Sequence, residues 1–299
     1  MLKERVRDAT VEVLRKAETE LPSDVREALE RAYEAETSET ARMHLKAMLE
    51  NVELAAKLQR PICQDTGIPL FFVRLGVLRS SGVSMPLSVL HEIEEGIREG
   101  VEEATEKIPL RGNVVHPFMR APRGGKAKES NVGKRIPHIH FSVSEKFEGI
   151  EITVLPKGGG SENVSVFAML PPLRAEKAYE ALKDFVLKAV LEAGGKPCPP
   201  TIIGVGVGGS ADLAMLLAKI ALLRPVGERS EEEAVARAEE EILEAVNRTG
   251  IGPMGLGGRT TALDVHIEVA ACHITSLPVA VNFQCWAARR ASTRIPLVK

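Results

Sequence analysis

The chain has 299 residues, of which 44% are hydrophobic and 27% are charged, and its formal net charge is −2. This composition is that of an ordinary globular protein with one large domain or two modest ones. The near-neutral charge indicates neither a nucleic-acid surface nor a membrane surface, and no apolar run approaches the roughly 20 residues that span a bilayer. The first residues alternate charged and apolar side chains, which is typical of neither a signal peptide nor a transit peptide, so we expect a cytoplasmic protein.

The first 59 residues are predicted to be helical throughout. Apolar residues recur at helical spacing in two runs, which are interrupted near Pro22 and ended by Pro61. We therefore predict a helical N-terminal region over residues 1–59. The remainder, residues 60–299, is predicted to form the core, with one catalytic domain overall.

Helices and strands alternate in the rest of the chain. β-Branched runs bounded by turn residues predict strands over residues 70–77, 138–143, 149–155, 201–207, 263–274 and 277–287. Helical spacing predicts helices over residues 86–106, 175–195, 208–223 and 230–250. The predicted fold class is α+β, with the helical N-terminal region packed on a mixed α/β core.

Three of the four cysteines, Cys63, Cys198 and Cys285, stand beside loop-forming residues. Prolines near the first two stiffen the backbone, which helps to hold a thiolate in one direction, as a metal ligand requires. They are separated by 135 and 87 residues, unlike the closely spaced cysteines of zinc sites and ferredoxins. Spacing alone therefore does not distinguish metal ligands from free, buried thiols. Three ligands from distant loops would suit a cluster whose fourth iron stays open to substrate.

Gln64 and Asp65 follow Cys63 directly. A carboxylate beside a metal site acts as an acid or a base, or itself binds the metal. Taken alone, the segment Asp-Thr-Gly is more simply interpreted as a turn. The same three residues occur in aspartic proteases, but those enzymes need two such carboxylates, and this chain has one copy.

Two glycine-rich segments follow predicted strands. In residues 157–163, KGGGSEN, the amides and the lysine suit an anion, although a flexible hairpin explains the segment equally well. Residues 204–209 match the G-x-G-x-x-G pattern of nicotinamide-binding folds. That pattern also needs a second strand ending in an acidic residue about 20 positions later, whereas this chain continues into another helix. Close backbone packing is therefore the favoured interpretation of these glycines.

Arginines and histidines are candidates for substrate contacts, because a guanidinium pairs with a carboxylate through two hydrogen bonds. Most such residues are nevertheless surface or core residues, and the alternating pair His138 and His140 is more often structural than a metal site. The candidates are Arg111, His116, His138, His140, His266, His273, Arg289 and Arg290.

Six segments in order resemble one known family. They are CQDTG from Cys63, R-G-N-x-x-x-P from Arg111, KGGGSEN from Lys157, CPP from Cys198, the following IGVGVGGSAD, and the ending that runs from ACH to NFQCWAARR. From about residue 60 to 290, this pattern resembles the alpha part of class I, iron–sulfur-dependent fumarate hydratases, and L-tartrate dehydratase alpha subunits share it. Each motif is weak alone, but six in order are hard to obtain by chance.

The resemblance implies a role for each matching residue. Cys63, Cys198 and Cys285 match the ligands of a [4Fe–4S] cluster, whereas Cys272 lies outside the ligand motifs. The other implied site residues are Asp65 and His273 as catalytic residues, and Gln64, Arg111, Gly159 and Gly160 as substrate-binding residues.

The implied chemistry follows from the needs of a dehydration, in which hydroxide is a poor leaving group. The exposed iron would act as a Lewis acid, and Asp65, paired with His273, would supply or accept the proton. Arg111 and the glycine-rich loop would neutralise the substrate carboxylates. A base on the opposite side of the substrate must remove a hydrogen from carbon.

The resemblance also implies a partner. In single-chain family members a further swivelling domain contributes arginines, a lysine and the carbon base, but this chain ends 14 residues after Cys285. We therefore expect a separate beta subunit that completes the site, in an assembly of two alpha–beta pairs. The predicted reaction is the interconversion of fumarate and malate, with L-tartrate as the alternative substrate of the same kind of enzyme.

Two other function classes stay open. A nicotinamide-dependent oxidoreductase would rest on residues 204–209, and a non-catalytic iron–sulfur sensor would need the cysteines but not Asp65 or Arg111.

Overall fold

The computed structural model of the protein describes residues 1–76, 87–118 and 130–296. Helices and strands are both abundant in these ranges, which confirms the predicted α+β class. The helices are α1 (Leu2–Thr19), α2 (Ser23–Ala35), α3 (Glu39–Leu58), α4 (Ser88–Lys107), α5 (Gly159–Glu162), α6 (Ala175–Ala193), α7 (Ala211–Ala221) and α8 (Glu233–Asn247). The strands are β1 (Ile68–Gly76), β2 (His138–Ser144), β3 (Ile150–Lys157), β4 (Val166–Leu170), β5 (Thr201–Gly209), β6 (Ala262–Cys272), β7 (Leu277–Gln284) and β8 (Ala291–Ile295).

The observed elements differ from the predicted ones in a few places. The glycine-rich segment after Lys157 forms the short helix α5 rather than a loop. The five-residue strands β4 and β8 have no counterpart in the prediction, because so few residues give little periodic signal. The last predicted strand ends at Gln284, so Cys285 lies just beyond β7. Val77 and Pro86, at the ends of a predicted strand and helix, lie outside the described residues.

The chain divides into two compact units, each built from separate stretches of sequence. The first unit consists of Met1–Pro22, Val52–Lys157 and Arg289–Lys299, and the second of Ser23–Asn51 and Gly158–Ala288. The division into a helical region and a core after residue 59 stays a prediction.

The first unit is built on a mixed four-stranded sheet in the order β2-β1-β3-β8. β1 and β2 are parallel, and the other neighbouring strands are antiparallel. Alternate residues of β1, Phe71 and Val73, enter a core that they share with apolar residues of α1 and α4. α4 approaches α1 closely at Gly100, where a methyl group would lie 2.5 Å from the Cβ of Thr10. The absence of a side chain at Gly100 therefore allows α4 to pack closely against α1.

The second unit contains a sheet in the order β4-β7-β5-β6, in which β5 and β6 are parallel and the other pairs antiparallel. α6 and α8 cover one face, and α7 covers the other through Ala214 and Ala218. Gly204 and Gly206 lie directly beneath α7. A Cβ added to them would stand 2.1 Å from the carbonyl oxygen of Ala218 and 2.0 Å from that of Ala214, respectively. These glycines serve close backbone packing, which confirms the favoured interpretation of residues 204–209.

Within the described ranges, no helix combines the length and the apolar character that crossing a membrane requires.

Candidate active site

Cys63 and Asp65 lie in a tight turn of the first unit, between α3 and β1. The Asp65 N–H donates to the Cys63 Sγ across 3.4 Å, and the Gly67 N–H donates to the Asp65 Oδ1 at 3.0 Å. Gly67 has a φ of +74°, a conformation that glycine adopts without the penalty of a side chain. The turn predicted for Asp-Thr-Gly is therefore present, and it holds the Asp65 amide against the Cys63 thiol. Gln64, between them, is exposed.

The segment that begins at Arg111 approaches this turn in the same unit. The Arg111 N–H donates to the Thr66 Oγ1 at 3.0 Å, and the Asn113 Nδ2 donates to the Asp65 Oδ1, also at 3.0 Å. The Arg111 side chain is exposed, while Thr66 is buried. Asn113 is a contact that the sequence-based assignment missed. Asn113 is the asparagine of the R-G-N-x-x-x-P motif, but the motif alone does not indicate that its side chain binds Asp65.

Arg289 and Glu18 form a buried ion pair behind the turn. Their exposed fractions are 1% and 0%, and the Arg289 Nη1 contacts the Glu18 Oε2. The Arg289 Nη2 donates to the backbone carbonyl of Asp65 at 2.8 Å. Burial raises the pKa of the Glu18 carboxyl to about 7, even though the charge and hydrogen bond of Arg289 act in the opposite direction. Arg289, a candidate for substrate contact, is thus a buried residue that binds groups of its own chain.

In the second unit, a backbone hydrogen bond joins the loop of Cys198 to the residue that follows Cys285. The Trp286 N–H, next to Cys285, donates to the carbonyl oxygen of Cys198 at 3.1 Å. Two further hydrogen bonds hold this loop. The Cys198 N–H donates to the Gly195 carbonyl at 3.1 Å, and the Met254 N–H donates to the Pro199 carbonyl at 2.7 Å. Cys198 has a φ of +54°, a left-handed conformation uncommon for a residue with a side chain. The fold therefore holds this thiol-bearing loop in a defined geometry.

The glycine-rich segment adjoins the same loop. Gly159 and Gly160 are exposed at the start of α5, and a Cβ on Gly160 would stand 3.0 Å from the carbonyl oxygen of Lys196. At the other end of α5, the Glu162 Oε1 accepts a hydrogen bond of 2.6 Å from the Lys219 Nζ. The second unit thus brings the glycine-rich segment and two predicted ligand cysteines into one region.

The histidines have different surroundings. His273 is exposed in the turn between β6 and β7, with its Nδ1 2.8 Å from the Thr275 Oγ1. Its pairing with Asp65 stays a prediction. His266 is fully buried, 3.0 Å from the Asp264 Oδ2, and is a core residue. His138 packs edge-on against His140, with 4.2 Å between the ring centroids.

The predicted ligand cysteines have the chemistry that an iron–sulfur cluster needs. Cys63, Cys198 and Cys285 are half-buried and form no disulfide, whereas Cys272 is exposed at the end of β6. The N–H donated to the Cys63 Sγ suits a thiolate, because a charged acceptor strengthens such a bond. Among the described residues, no three or more histidine, cysteine, aspartate or glutamate side chains are grouped to hold a single metal ion.

Comparisons with known proteins give a consistent result along the chain. The sequence profile of the family described as fumarate hydratase (Fumerase) matches residues 7–294. A Methanocaldococcus jannaschii protein provisionally named L(+)-tartrate dehydratase subunit alpha is 48% identical over 294 residues, which cover 98% of each chain. The L(+)-tartrate dehydratase subunit alpha of Escherichia coli K12 is 36% identical over 274 residues, which cover 92% of this chain and 85% of that protein. The similarity includes segments of both units.

Proposed function

The chain belongs to the fumarate hydratase (Fumerase) family of hydro-lyases, and from this premise we propose that it is the alpha subunit of an iron–sulfur hydro-lyase that dehydrates L(+)-tartrate. The family confirms the hydro-lyase class predicted from the motifs. The substrate, the cluster and the role of each residue belong to the proposal.

The choice of substrate departs from the first sequence-based expectation. Fumarate and malate stand first in that expectation and tartrate second, but the names of the relatives favour tartrate. Identity of 48% over 98% of both chains supports a shared substrate class. Tartrate differs from malate by one hydroxyl group. Loss of water from tartrate removes a hydroxyl from one carbon and a hydrogen from the next, which leaves the enol of oxaloacetate.

The observation that supports an enzyme most directly is the fixed carboxylate of Asp65. A turn amide and the Asn113 side chain both donate to its Oδ1, and its own amide donates to the Cys63 thiol. A proton-transferring group has to be held close to its reacting partner, and these contacts restrict the carboxylate in that way. A sensor protein needs the thiols but has no use for an oriented carboxylate in the turn that follows Cys63.

The chain's own residues then divide the work of a dehydration. A [4Fe–4S] cluster held by Cys63, Cys198 and Cys285 would supply a Lewis acid for the departing hydroxyl. Asp65, paired with His273, holds the proton that the hydroxyl takes as it leaves. Gln64, Arg111 and the backbone amides of Gly159 and Gly160 bind the substrate carboxylates, and the Arg111 guanidinium neutralises their charge.

The proposal includes a partner, because the relatives are named as alpha subunits. A beta subunit supplies the base that removes hydrogen from carbon, and two alpha–beta pairs form the assembly. A cytoplasmic location is part of the same proposal.

The test is a substrate comparison with the anaerobically reconstituted alpha–beta complex. We expect kcat/KM for L(+)-tartrate to exceed that for malate and for fumarate by at least about 10-fold, since one hydroxyl recognised by polar groups supports such discrimination. D-tartrate serves as the stereochemical control. A preference for malate and fumarate would overturn the choice of tartrate, and inactivity towards all of them would overturn the hydro-lyase assignment.

A further inference from the structure

The buried contacts behind Asp65 indicate a residue pair with a role in the site. We propose that Glu18 and Arg289 are positioning residues, which fix the backbone of residues 62–65 and thereby the placement of Asp65. The inference rests on the proposed function only in assigning proton transfer to Asp65.

Glu18 holds both ends of this short segment. Its backbone carbonyl accepts the Ile62 N–H at 2.8 Å. Its carboxylate pairs with the Arg289 Nη1, while the Nη2 of the same guanidinium donates to the Asp65 carbonyl at 2.8 Å. One residue near the end of α1 thus holds Ile62 directly and Asp65 through Arg289, and Cys63 lies between the two attachment points.

The burial of the pair argues against a role in stability alone. Glu18 is 0% exposed and Arg289 is 1% exposed, so neither charge is solvated by bulk water. Replacing a buried ion pair by apolar residues of similar volume is often neutral or stabilising, because the desolvation of two charges offsets their attraction. Because this pair also binds the Asp65 carbonyl, its burial is better explained by a role in orienting the backbone of residues 62–65.

The guanidinium is suited to this task. Its planar fork directs separate N–H groups to the Glu18 carboxylate and to the Asp65 carbonyl. A lysine presents a single ammonium at the end of a flexible chain and cannot reproduce this fixed geometry. The structure therefore predicts that arginine is specifically required at position 289.

The support for the pair is rigid. Gly96 and Gly100 allow α4 to pack tightly against α1, with a Cβ on Gly96 only 2.7 Å from the Lys3 carbonyl oxygen. Glu18 belongs to this well-packed helix rather than to a loop. Arg289 and Glu18 position the backbone of Asp65, while Gly67 and Asn113 position its carboxylate.

The test compares stability with the local order of the segment. The double variant Glu18→Leu/Arg289→Met removes both charges at similar volume, and Arg289→Lys keeps the charge but removes the fork. Glu151→Gln is the matched control, because Glu151 is a buried carboxylate of the same unit that pairs with Arg74 and Arg294 on the sheet. Each full-length alpha chain is measured for Tm and for amide hydrogen exchange over residues 60–68. Each alpha–beta complex is measured for kcat, KM and iron content.

We expect the double variant to keep its Tm within about 3 °C of the wild type. Its residues 62–67 should nevertheless exchange about 10-fold faster, since the guanidinium that binds the Asp65 carbonyl is lost. In the complex, kcat should fall about 10- to 100-fold while KM changes less than about 3-fold. Arg289→Lys should show the same loss of local order and of kcat, and Glu151→Gln should leave the exchange of residues 62–67 unchanged.

Unchanged exchange of residues 62–67 in both the double variant and Arg289→Lys would overturn the positioning role. Equal acceleration in the Glu151→Gln control would also overturn it, because the effect would then reflect general destabilisation. If the wild-type complex is inactive towards every substrate, the proposed function fails, and the exchange measurement still decides the role of the pair.

Discussion

At the scale of single residues, Asp65 is where contacts from distant parts of the sequence meet. Asn113 and Arg289 both bind it, one at the carboxylate and the other at the backbone. The motif CQDTG indicated that Asp65 belongs to a site, but not what holds it. These partners are 48 and 224 residues away along the chain. Local sequence contains no signal for contacts at such separations.

Replacement of Asp65 by asparagine tests its role in proton transfer. Asparagine preserves the shape and the hydrogen bonds to Oδ1 but cannot transfer the proton, so kcat of the alpha–beta complex should fall by about 10²- to 10⁴-fold. Iron content and visible absorbance should stay at wild-type values. Asp8→Asn, on an exposed aspartate of α1, is the control. Retained activity in a cluster-loaded Asp65→Asn complex would contradict the catalytic role.

The pKa of Glu18 leads to a prediction about pH. Burial raises the pKa of this carboxyl from its ordinary 4.5 to about 7, so the folded chain binds a proton that the unfolded chain releases. The stabilising contribution is complete below pH 4.5 and is lost as the pH rises through about 7. Compared with Glu18→Gln, the wild-type free energy of unfolding should decline across this window, as measured by denaturant titration. Parallel pH profiles for the two proteins would show that Glu18 does not titrate in this way.

At the scale of elements, the short 3₁₀ turn Pro253–Gly255 supports the loop that bears Cys198. The Met254 N–H donates to the Pro199 carbonyl, and Gly255 lies against Gly195. None of this support was predicted, because a glycine run is compatible with many loops, and only the packed neighbours show which glycines are needed.

Two alanine substitutions distinguish the effect of backbone strain from the effect of losing the close approach between Gly255 and Gly195. Gly255 and Gly257 have similar positive φ angles, +76° and +88°. A Cβ on Gly255 would lie 2.5 Å from the Cα of Gly195, whereas one on Gly257 would meet nothing within 4 Å. Both variants therefore carry a backbone penalty of about 1–2 kcal/mol. Only Gly255→Ala should displace the Cys198 loop and lower the iron content after reconstitution, measured per polypeptide. Equal iron content in the two variants would contradict a supporting role for the turn.

At the scale of the whole molecule, the predicted site residues are divided between two compact units. Cys63, Asp65 and Arg111 belong to the first, while Cys198 and Cys285 belong to the second. The family match covers both units. We therefore expect cluster binding to be a property of the complete alpha chain and turnover to be a property of the complex.

Reconstitution of the alpha chain without its partner tests this division of roles. The chain should take up iron and sulfide and develop visible absorbance, because all three proposed ligand cysteines belong to it. Its turnover should stay below about 1% of that of the complex, since the carbon base is proposed to lie on the beta subunit. Cys272→Ala should take up as much iron as the wild type, whereas Cys285→Ala should take up less. Full activity of the isolated alpha chain would contradict the need for a beta subunit.

The amino-acid sequence alone was sufficient for the fold class, for most helices and strands, and for the family. These properties depend on short segments: periodicity within one element and motifs of a few residues each. The prediction of close packing at Gly204 and Gly206 also came from local context, and the structure confirmed it with α7 directly above them.

Only the tertiary structure identified the interactions that hold the site residues. It paired Glu18 with Arg289 across 271 positions of the chain, and it placed the Trp286 amide on the Cys198 carbonyl. It also showed that an arginine suited to bind substrate is instead buried among groups of its own chain. The physical reason is that hydrogen bonds and ion pairs depend on distances of a few ångströms in space, and residues far apart in sequence reach those distances only when the whole chain has packed.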